Sequence, residues 1–459
     1  MNKTSQEPKN RNDISRRSFF KTGGAIVGGS ALALTPGRKM LYSQEEGAIK
    51  SQIKEYRTLG RTGFKASDIS MGCGEISEAN VVRYAYDLGI TYFDTAEGYS
   101  NGDSEKKIGE ALPNIDRKKI FITTKLPISD EDTKETVLDR FQQCQTRLNT
   151  DYVDALYMHG ASSVELLNHE GFHAATAELK AAGKLRFVGV SNHGPGRGRG
   201  DSMEKVLVAA AEDGRFDLML LVYNFLNKDE GKKVLAACKK NNVGTTAMKV
   251  QAGRLNIPPF DPENLPEEQQ NYLDRLKKRG TPEDRAMRML ERWVNHQREE
   301  AKKSQPFVDK YGVKTREQLR DAAIQWVLED SDMHTICVSA PDYESIDTYV
   351  ALSGTRLSNE SRLFLRDYEY AFGQRYCRHG CTECSSNCPH NVPVSTIMRY
   401  AYYFECQKRE KYAMGEYAKL GGNDVKACET CSAPCTSACP YNVDIQSNLL
   451  HAHALLAYA

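Results

Sequence analysis

The chain has 459 residues, 40% of them hydrophobic and 27% charged, which suffices to bury a large core and to build one big domain beside a small one. Its net charge of +1 excludes the single-sign field of a nucleic-acid or membrane-surface binder. No apolar run reaches the roughly 20 residues that cross a bilayer, so no stable membrane span is expected.

In chain order, Ser15-Arg16-Arg17-Ser18-Phe19-Phe20-Lys21 comes first, followed by a Gly/Ala-rich apolar run from Ala25 to Leu34 in which Ala31-Leu32-Ala33 offers small residues for cleavage. Charged, apolar and small-residue regions in that order are targeting features. This segment, 1–45 with its linker, resembles a twin-arginine export signal. The resemblance implies a periplasmic or otherwise exported protein that crosses the membrane already folded, with any metal clusters assembled beforehand.

From about Tyr56 to Gly354, short apolar strands alternate with helices that are apolar on one face, the pattern of parallel βα units. The expected strands are Asp68 to Met71, Thr91 to Asp94, Ile120 to Lys125, Val153 to His159, Phe187 to Ser191, Leu218 to Tyr223, Thr245 to Val250 and His334 to Val338. The expected helices between them include Glu78 to Leu88, Glu135 to Leu148, Phe172 to Ala182, Met203 to Glu212 and Glu230 to Lys240. Eight strands predict an α/β fold, a (β/α)8 TIM barrel over 52–356, whose catalytic groups belong at the C-terminal strand ends. Polar residues fall there: Asp94 ends the second strand with Tyr99 five residues on, Lys125 ends the third, His159 the fourth and Ser191-Asn192 the fifth.

Tyr-Phe-Asp94-Thr-Ala-Glu-Gly-Tyr99, followed by Ser104-Glu105 and Ile108-Gly109, then Thr-Lys125, Tyr157-Met-His159 and Gly183-Lys-Leu-Arg-Phe-Val-Gly-Val-Ser191-Asn192, resemble the successive signatures of the aldo-keto reductases over roughly 300 residues. The resemblance implies that Asp94, Tyr99, Lys125 and His159 are a catalytic tetrad acting on a small-molecule carbonyl or alcohol. It also implies a nicotinamide cofactor, NAD or NADP, with Ser191 and Asn192 holding the carboxamide and Tyr223 stacking on the ring. Chemistry points the same way: carbonyl reduction needs a hydride donor and an acid, and a tyrosine with a reference pKa of about 10 needs a neighbouring ammonium to serve near neutrality. Two positions depart from the family. Leu220 stands where a carboxamide-binding glutamine is usual, and Val338-Ser339-Ala340-Pro341-Asp342 lacks the basic residues that clamp a 2′-phosphate, so a strong preference for NADP is not expected.

The insertion 251–318 is charged and Pro-rich, with one amphipathic helix from Pro282 to Lys303, and its length suits a cover for the site or a seat for the C-terminal region. Beyond it, 370–459 carries Cys377-x3-Cys381-x2-Cys384-x3-Cys388-Pro389 and Cys428-x2-Cys431-x3-Cys435-x3-Cys439-Pro440, eight of the thirteen cysteines. Cys388-Pro-His-Asn-Val-Pro-Val and Cys439-Pro-Tyr-Asn-Val-Asp-Ile align position by position, and each precedes an apolar helical stretch, Ser395 to Gln407 and Gln446 to Tyr458. The runs resemble a small, mainly helical ferredoxin-like module holding two [4Fe-4S] clusters, with one extra residue in each run. That resemblance implies crossed ligation, Cys377, Cys381 and Cys384 with Cys439, and Cys428, Cys431 and Cys435 with Cys388. It also implies a redox partner protein. A structural zinc site on Cys381, Cys384, Cys428 and Cys431, or disulfides, stay open as alternatives. Cys73, Cys144, Cys238, Cys337 and Cys406 are expected to be ordinary buried thiols. The combined expectation is an exported iron-sulfur oxidoreductase. The rival expectations are an electron-transfer or interaction protein with an inactive barrel, and clusters that are merely structural.

Overall fold

A computed structural model of the chain describes residues 51–457, apart from 197–199, 253–259, 279–280, 303–304, 314–315, 408 and 422–424. The twin-arginine segment lies outside the described residues. Eight parallel strands close a barrel in the order β10, β3 to β9: β3 (Ile69–Gly72), β4 (Tyr92–Asp94), β5 (Phe121–Leu126), β6 (Val153–Met158), β7 (Leu185–Asn192), β8 (Leu218–Val222), β9 (Gly244–Met248) and β10 (Thr335–Ser339). Every expected strand is present. β5 and β6 are buried at every position, as strands flanked by a packed interior and an outer helix ring must be.

The sequence did not suggest the antiparallel hairpin of β1 (Tyr56–Thr58) and β2 (Lys65–Ser67). It supplies Leu59 and Ala66 to the barrel interior, where they pack with Tyr92, Phe121, Tyr157, Leu218 and Leu220. A separate core of apolar side chains lies between the strands and the outer helices. Helix ends follow local chemistry. Thr133 and Thr136 cap the helix Lys134–Leu148 reciprocally, and Asn149 stops it at φ 48°.

Among the described residues the insertion forms three helices rather than one, Glu267–Lys278, Glu283–Lys302 and Gln305–Tyr311. Leu273 and Leu276 pack on Ala286, Leu290 and Val294, while Tyr272 and Trp293 stack with centroids 5.0 Å apart and lie against the core of the cysteine region. In that region the sequence repeat is also a backbone repeat. Asn391 and Asn442 both adopt left-handed φ, 51° and 54°, their amides bond to the carbonyls of Cys388 and Cys439 at 3.2 Å, and the helices Val394–Cys406 and Ile445–Leu456 follow. Among the described residues no helix is long and apolar enough to cross a membrane.

Candidate active site at the barrel mouth

The four residues of the expected tetrad come from three consecutive strand ends, Asp94 and Tyr99 from β4 and the turn after it, Lys125 from β5 and His159 from the end of β6. Lys125, wholly buried on β5, donates to Asp94 Oδ1 at 2.5 Å and to the Thr95 carbonyl at 2.6 Å, and Thr123 Oγ1 donates to Asp94 Oδ2 at 2.9 Å. Burial alone would strip the proton from Lys125, but the Asp94 carboxylate outweighs it and holds the ammonium above its usual range. The Lys125 ammonium lies 5.0 Å from the Tyr99 ring centroid, and the Tyr99 and His159 rings meet edge to face at 5.9 Å. Ser100 and Asn101 after Tyr99 take φ of 49° and 55°, a left-handed pair that turns the chain, and Ser100 Oγ anchors it to the Gly74 carbonyl at 3.1 Å.

Electrostatics assign these groups their protons. Burial pushes the Tyr99 hydroxyl up to about 12, against the opposing pull of Lys125, so it carries its proton at neutral pH. Burial, then the cations Lys125 and Lys249, drive His159 down to about 3, so its imidazole is neutral. The site therefore presents a neutral phenol and a neutral imidazole beside one compensated ion pair, an arrangement able to polarise and protonate a carbonyl oxygen.

The expected cofactor residues divide. Ser191 and Asn192 reach the mouth, buried at 1% and 0% exposure, with Ser191 Oγ accepting from the Gly160 amide at 2.9 Å. Asn192 donates to the Ala161 carbonyl and accepts from the Gly194 amide at 2.6 Å, so half its amide capacity is spent on joining two loops. Tyr223 is a correction. Its ring is enclosed in the outer core between the helices Lys228–Lys240 and Arg316–Leu328, 5.1 Å from Trp326, with its hydroxyl donating to Asp330 at 2.6 Å. It has no open face for a cofactor ring. Leu220, paired with Ser191 across β7 and β8, presents an apolar side chain to the barrel interior. Other motif residues prove architectural: Glu105 accepts from Arg147 at 2.6 Å and from Thr124 at 2.5 Å, pinning the helix Asp103–Ala111 to the barrel.

The cysteine region covers this mouth. Arg399 donates to the His193 carbonyl at 2.8 Å, Thr396 to that of Pro195 at 3.2 Å, Tyr402 to that of Gln251 at 2.7 Å, and Arg409 pairs with Glu75 at 2.9 Å. Asn224 reaches Tyr376 at 3.2 Å. The sequence reading missed Lys249, His193 and Arg399. The rule that picked out Lys125 would have found Lys249, which follows the last residue of β9; nothing local marked Arg399.

None of the eight cysteines of the two runs is joined in a disulfide. Cys377, Cys381, Cys384 and Cys439 line one cavity, three from the first run and the last from the second. Cys435 lies within the electrostatic reach of Cys388 and Cys431, and Gln446 ties the carbonyls of Cys428 and Cys431 at 2.5 and 2.9 Å. Among the described residues no three His, Cys, Asp or Glu side chains are grouped as ligands of a single metal ion. Burial pushes the Cys381 thiol up to about 12 and the Cys384 thiol up to about 11, so a cation is needed to ionise them. Of the remaining cysteines, Cys73, Cys144 and Cys238 are buried and Cys337 half-buried beside the tetrad, where burial and Asp94 keep its thiol protonated. The Cys406 side chain lies outside the described residues.

A closed parallel barrel with acid, base and ion pair at its C-terminal mouth defines a (β/α)8 protein built for chemistry at a polar bond. The chain belongs to the Aldo/keto reductase family, which it matches over residues 73–362. It is 30% identical over 166 residues to the probable aldo-keto reductase 1 of Glycine max, covering 32% of this chain and 47% of that protein, so it spans about half of that relative. It is 25% identical over 331 residues to the L-glyceraldehyde 3-phosphate reductase of Escherichia coli O157:H7, covering 67% and 90%. An aldo-keto reductase from Klebsiella pneumoniae solved with NADPH aligns at 21% identity and a TM-score of 0.47, over 73% of this chain and 100% of that one.

Proposed function

We propose that the protein is an exported iron-sulfur oxidoreductase that reduces a small-molecule carbonyl at the barrel mouth. The observation that carries the reading is the placement of Asp94, Lys125, Tyr99 and His159 around one buried point, with the protons where reduction needs them. Tyr99 keeps its proton and gives it to the oxygen as negative charge develops there, while Lys125, neutralised by Asp94, stabilises the phenolate that remains. His159 donates a neutral hydrogen bond to the same oxygen. A nicotinamide supplies hydride when bound, and Ser191 and Asn192 are the residues that would meet its carboxamide. Tyr223 and Leu220 do not fit that role, so the cofactor is held by fewer contacts than the family pattern implies. NADP is not strongly preferred over NAD.

The thiol quartet Cys377, Cys381, Cys384 and Cys439 around one cavity supports crossed ligation of two [4Fe-4S] clusters, Cys428, Cys431, Cys435 and Cys388 holding the second. Such clusters carry single electrons to and from a partner protein. Export through Arg16-Arg17 accords with clusters inserted before transport. Free nicotinamide is scarce outside the cytoplasm, so the cofactor travels bound.

The test is a turnover assay on anaerobically purified full-length protein with aldehydes and either NADH or NADPH, together with titration of both cofactors. Aldehyde reduction with similar affinity for the two is expected. Folded, cluster-loaded protein that turns over no aldehyde or alcohol would sink the reading.

A further inference from the structure

The covered mouth carries more positive charge than the tetrad uses. Lys249 follows β9 with φ of +54°, a conformation lysine avoids, so the chain accepts strain to hold this side chain at the mouth. Its Nζ faces Met248 Sδ at 3.6 Å and the Tyr403 ring at 5.2 Å, and burial, then the neighbouring Arg399 and Arg409, push its ammonium well below the usual lysine range. Arg399, 3% exposed, spends one Nη on the His193 carbonyl, and its buried Nε has no partner. His193 Nδ1 is likewise buried and unpartnered. Arg409 and Lys249 both approach the Tyr403 ring, but Arg409 has its counter-ion in Glu75 at the rim. Among the described residues no carboxylate pairs with Lys249 or Arg399, and the one carboxylate of the tetrad, Asp94, is taken by Lys125.

A guanidinium and a lysine amine removed from water without a counter-charge are costly to hold, and such sites persist where an anion completes them and restores the ammonium. From this we propose that Lys249, Arg399 and His193 form a binding site for an anionic group, and that the substrate is a carbonyl compound bearing a carboxylate or phosphate. This deepens the reductase reading above and rests on it for the word substrate. His193 directly follows Asn192 at the end of β7 and Lys249 follows Met248 at the end of β9, which puts the anion at the same C-terminal face of the barrel as the tetrad. One of its three residues comes from the cysteine region: Arg399 reaches in from the helix Val394–Cys406, so the mouth acquires its full anion specificity only once that region is seated.

The same charge could meet the diphosphate of a nucleotide cofactor, and the experiment separates the two sources. Binding to the cluster-loaded full-length protein is measured calorimetrically with 4-oxobutanoate and butanal, which share an aldehyde and differ in the carboxylate. The expected result is that 4-oxobutanoate binds at least about tenfold more tightly, the scale of one charge-assisted hydrogen bond. Lys249→Met and Arg399→Met should each erase that advantage, read as the ratio of the 4-oxobutanoate and butanal affinities within each variant. Equal affinities, or an advantage that survives both substitutions, overturn the proposal. Competition by ADP-ribose against 4-oxobutanoate would assign the charge to the cofactor and overturn the substrate class; binding of both together supports it. Thermal melting guards against a folding artefact: 4-oxobutanoate should raise the melting temperature of the wild type and not that of Lys249→Met, and an equal rise in both counts against the site. Tyr99→Phe should retain the preference for the anion. Unimpaired turnover in that variant would refute the tetrad reading while leaving the anion site standing.

Discussion

In the proposed reaction Tyr99 is the acid, because burial holds its proton up to about 12 and no other hydroxyl of the expected tetrad can serve. Tyr99→Phe keeps the ring against Gly74 and His159 and removes the proton, so carbonyl reduction should fall by about 10²-fold or more with cofactor affinity retained, as initial rates and a binding titration would report. His159 gives a pH signature. Its folded value of about 3 lies below the ordinary 6.5, so between those limits the unfolded chain binds a proton that the folded chain refuses. Stability should therefore fall as pH drops from about 6.5 toward 3, and His159→Gln should flatten part of that slope in denaturant unfolding at stepped pH. An unchanged slope would mean that other buried histidines carry it. That Asp94, Tyr99, Lys125 and His159 gather at one end of the barrel was legible in the sequence, because strand-end positions are fixed by the barrel; their joint role came from the resemblance. Lys249 obeys the same rule, one residue past the end of β9, and the sequence analysis did not single it out.

At the scale of elements, the eight strands were readable because apolar runs between one-faced helices admit few other arrangements. Their facing was equally readable, and Tyr223 shows it. Leu218 and Leu220 point into the barrel, Met219 and Leu221 outward, so the period of two carries Tyr223 outward with them. Assigning it to a cofactor followed the family pattern against the strand's own alternation. The hairpin of β1 and β2 escaped notice, being two strands of three residues whose value lies in what they plug. Packing inside the barrel is tight where Gly189 of β7 pairs with Tyr157 of β6. A Cβ at Gly189 would come within 2.6 Å of that ring, which is sandwiched in the interior and cannot withdraw. Gly189→Ala should cost about 1–3 kcal/mol of stability by denaturant unfolding.

For the whole molecule, crossed ligation makes a definite demand: Cys439→Ser and Cys377→Ser should each remove the same cluster, leaving about four of the roughly eight irons and sulfides of the intact protein on anaerobic analysis. Iron without the pairing of these two variants would refute the crossed set, and zinc without sulfide would refute the clusters. Replacing Arg16 and Arg17 by lysine should retain the folded protein in the cytoplasm, read by fractionation; unchanged export would remove the twin-arginine assignment. The sequence alone determined the barrel, the strand-end positions of Asp94, Tyr99, Lys125 and His159, and the duplicated cysteine runs, because periodicity, strand-end placement and cysteine spacing are local properties written within a few residues of each other. It held the repeat down to the backbone, since Asn391 and Asn442 occupy matching left-handed positions. Only the tertiary structure decided that the cysteine region lies over the barrel mouth, that the insertion helices pack on its core through Tyr272 and Trp293, and that Arg399 meets His193 across 206 residues of chain. Those contacts join surfaces whose partners lie far apart in sequence, and their energy comes from apolar area and charge that become complementary only when both faces are already built.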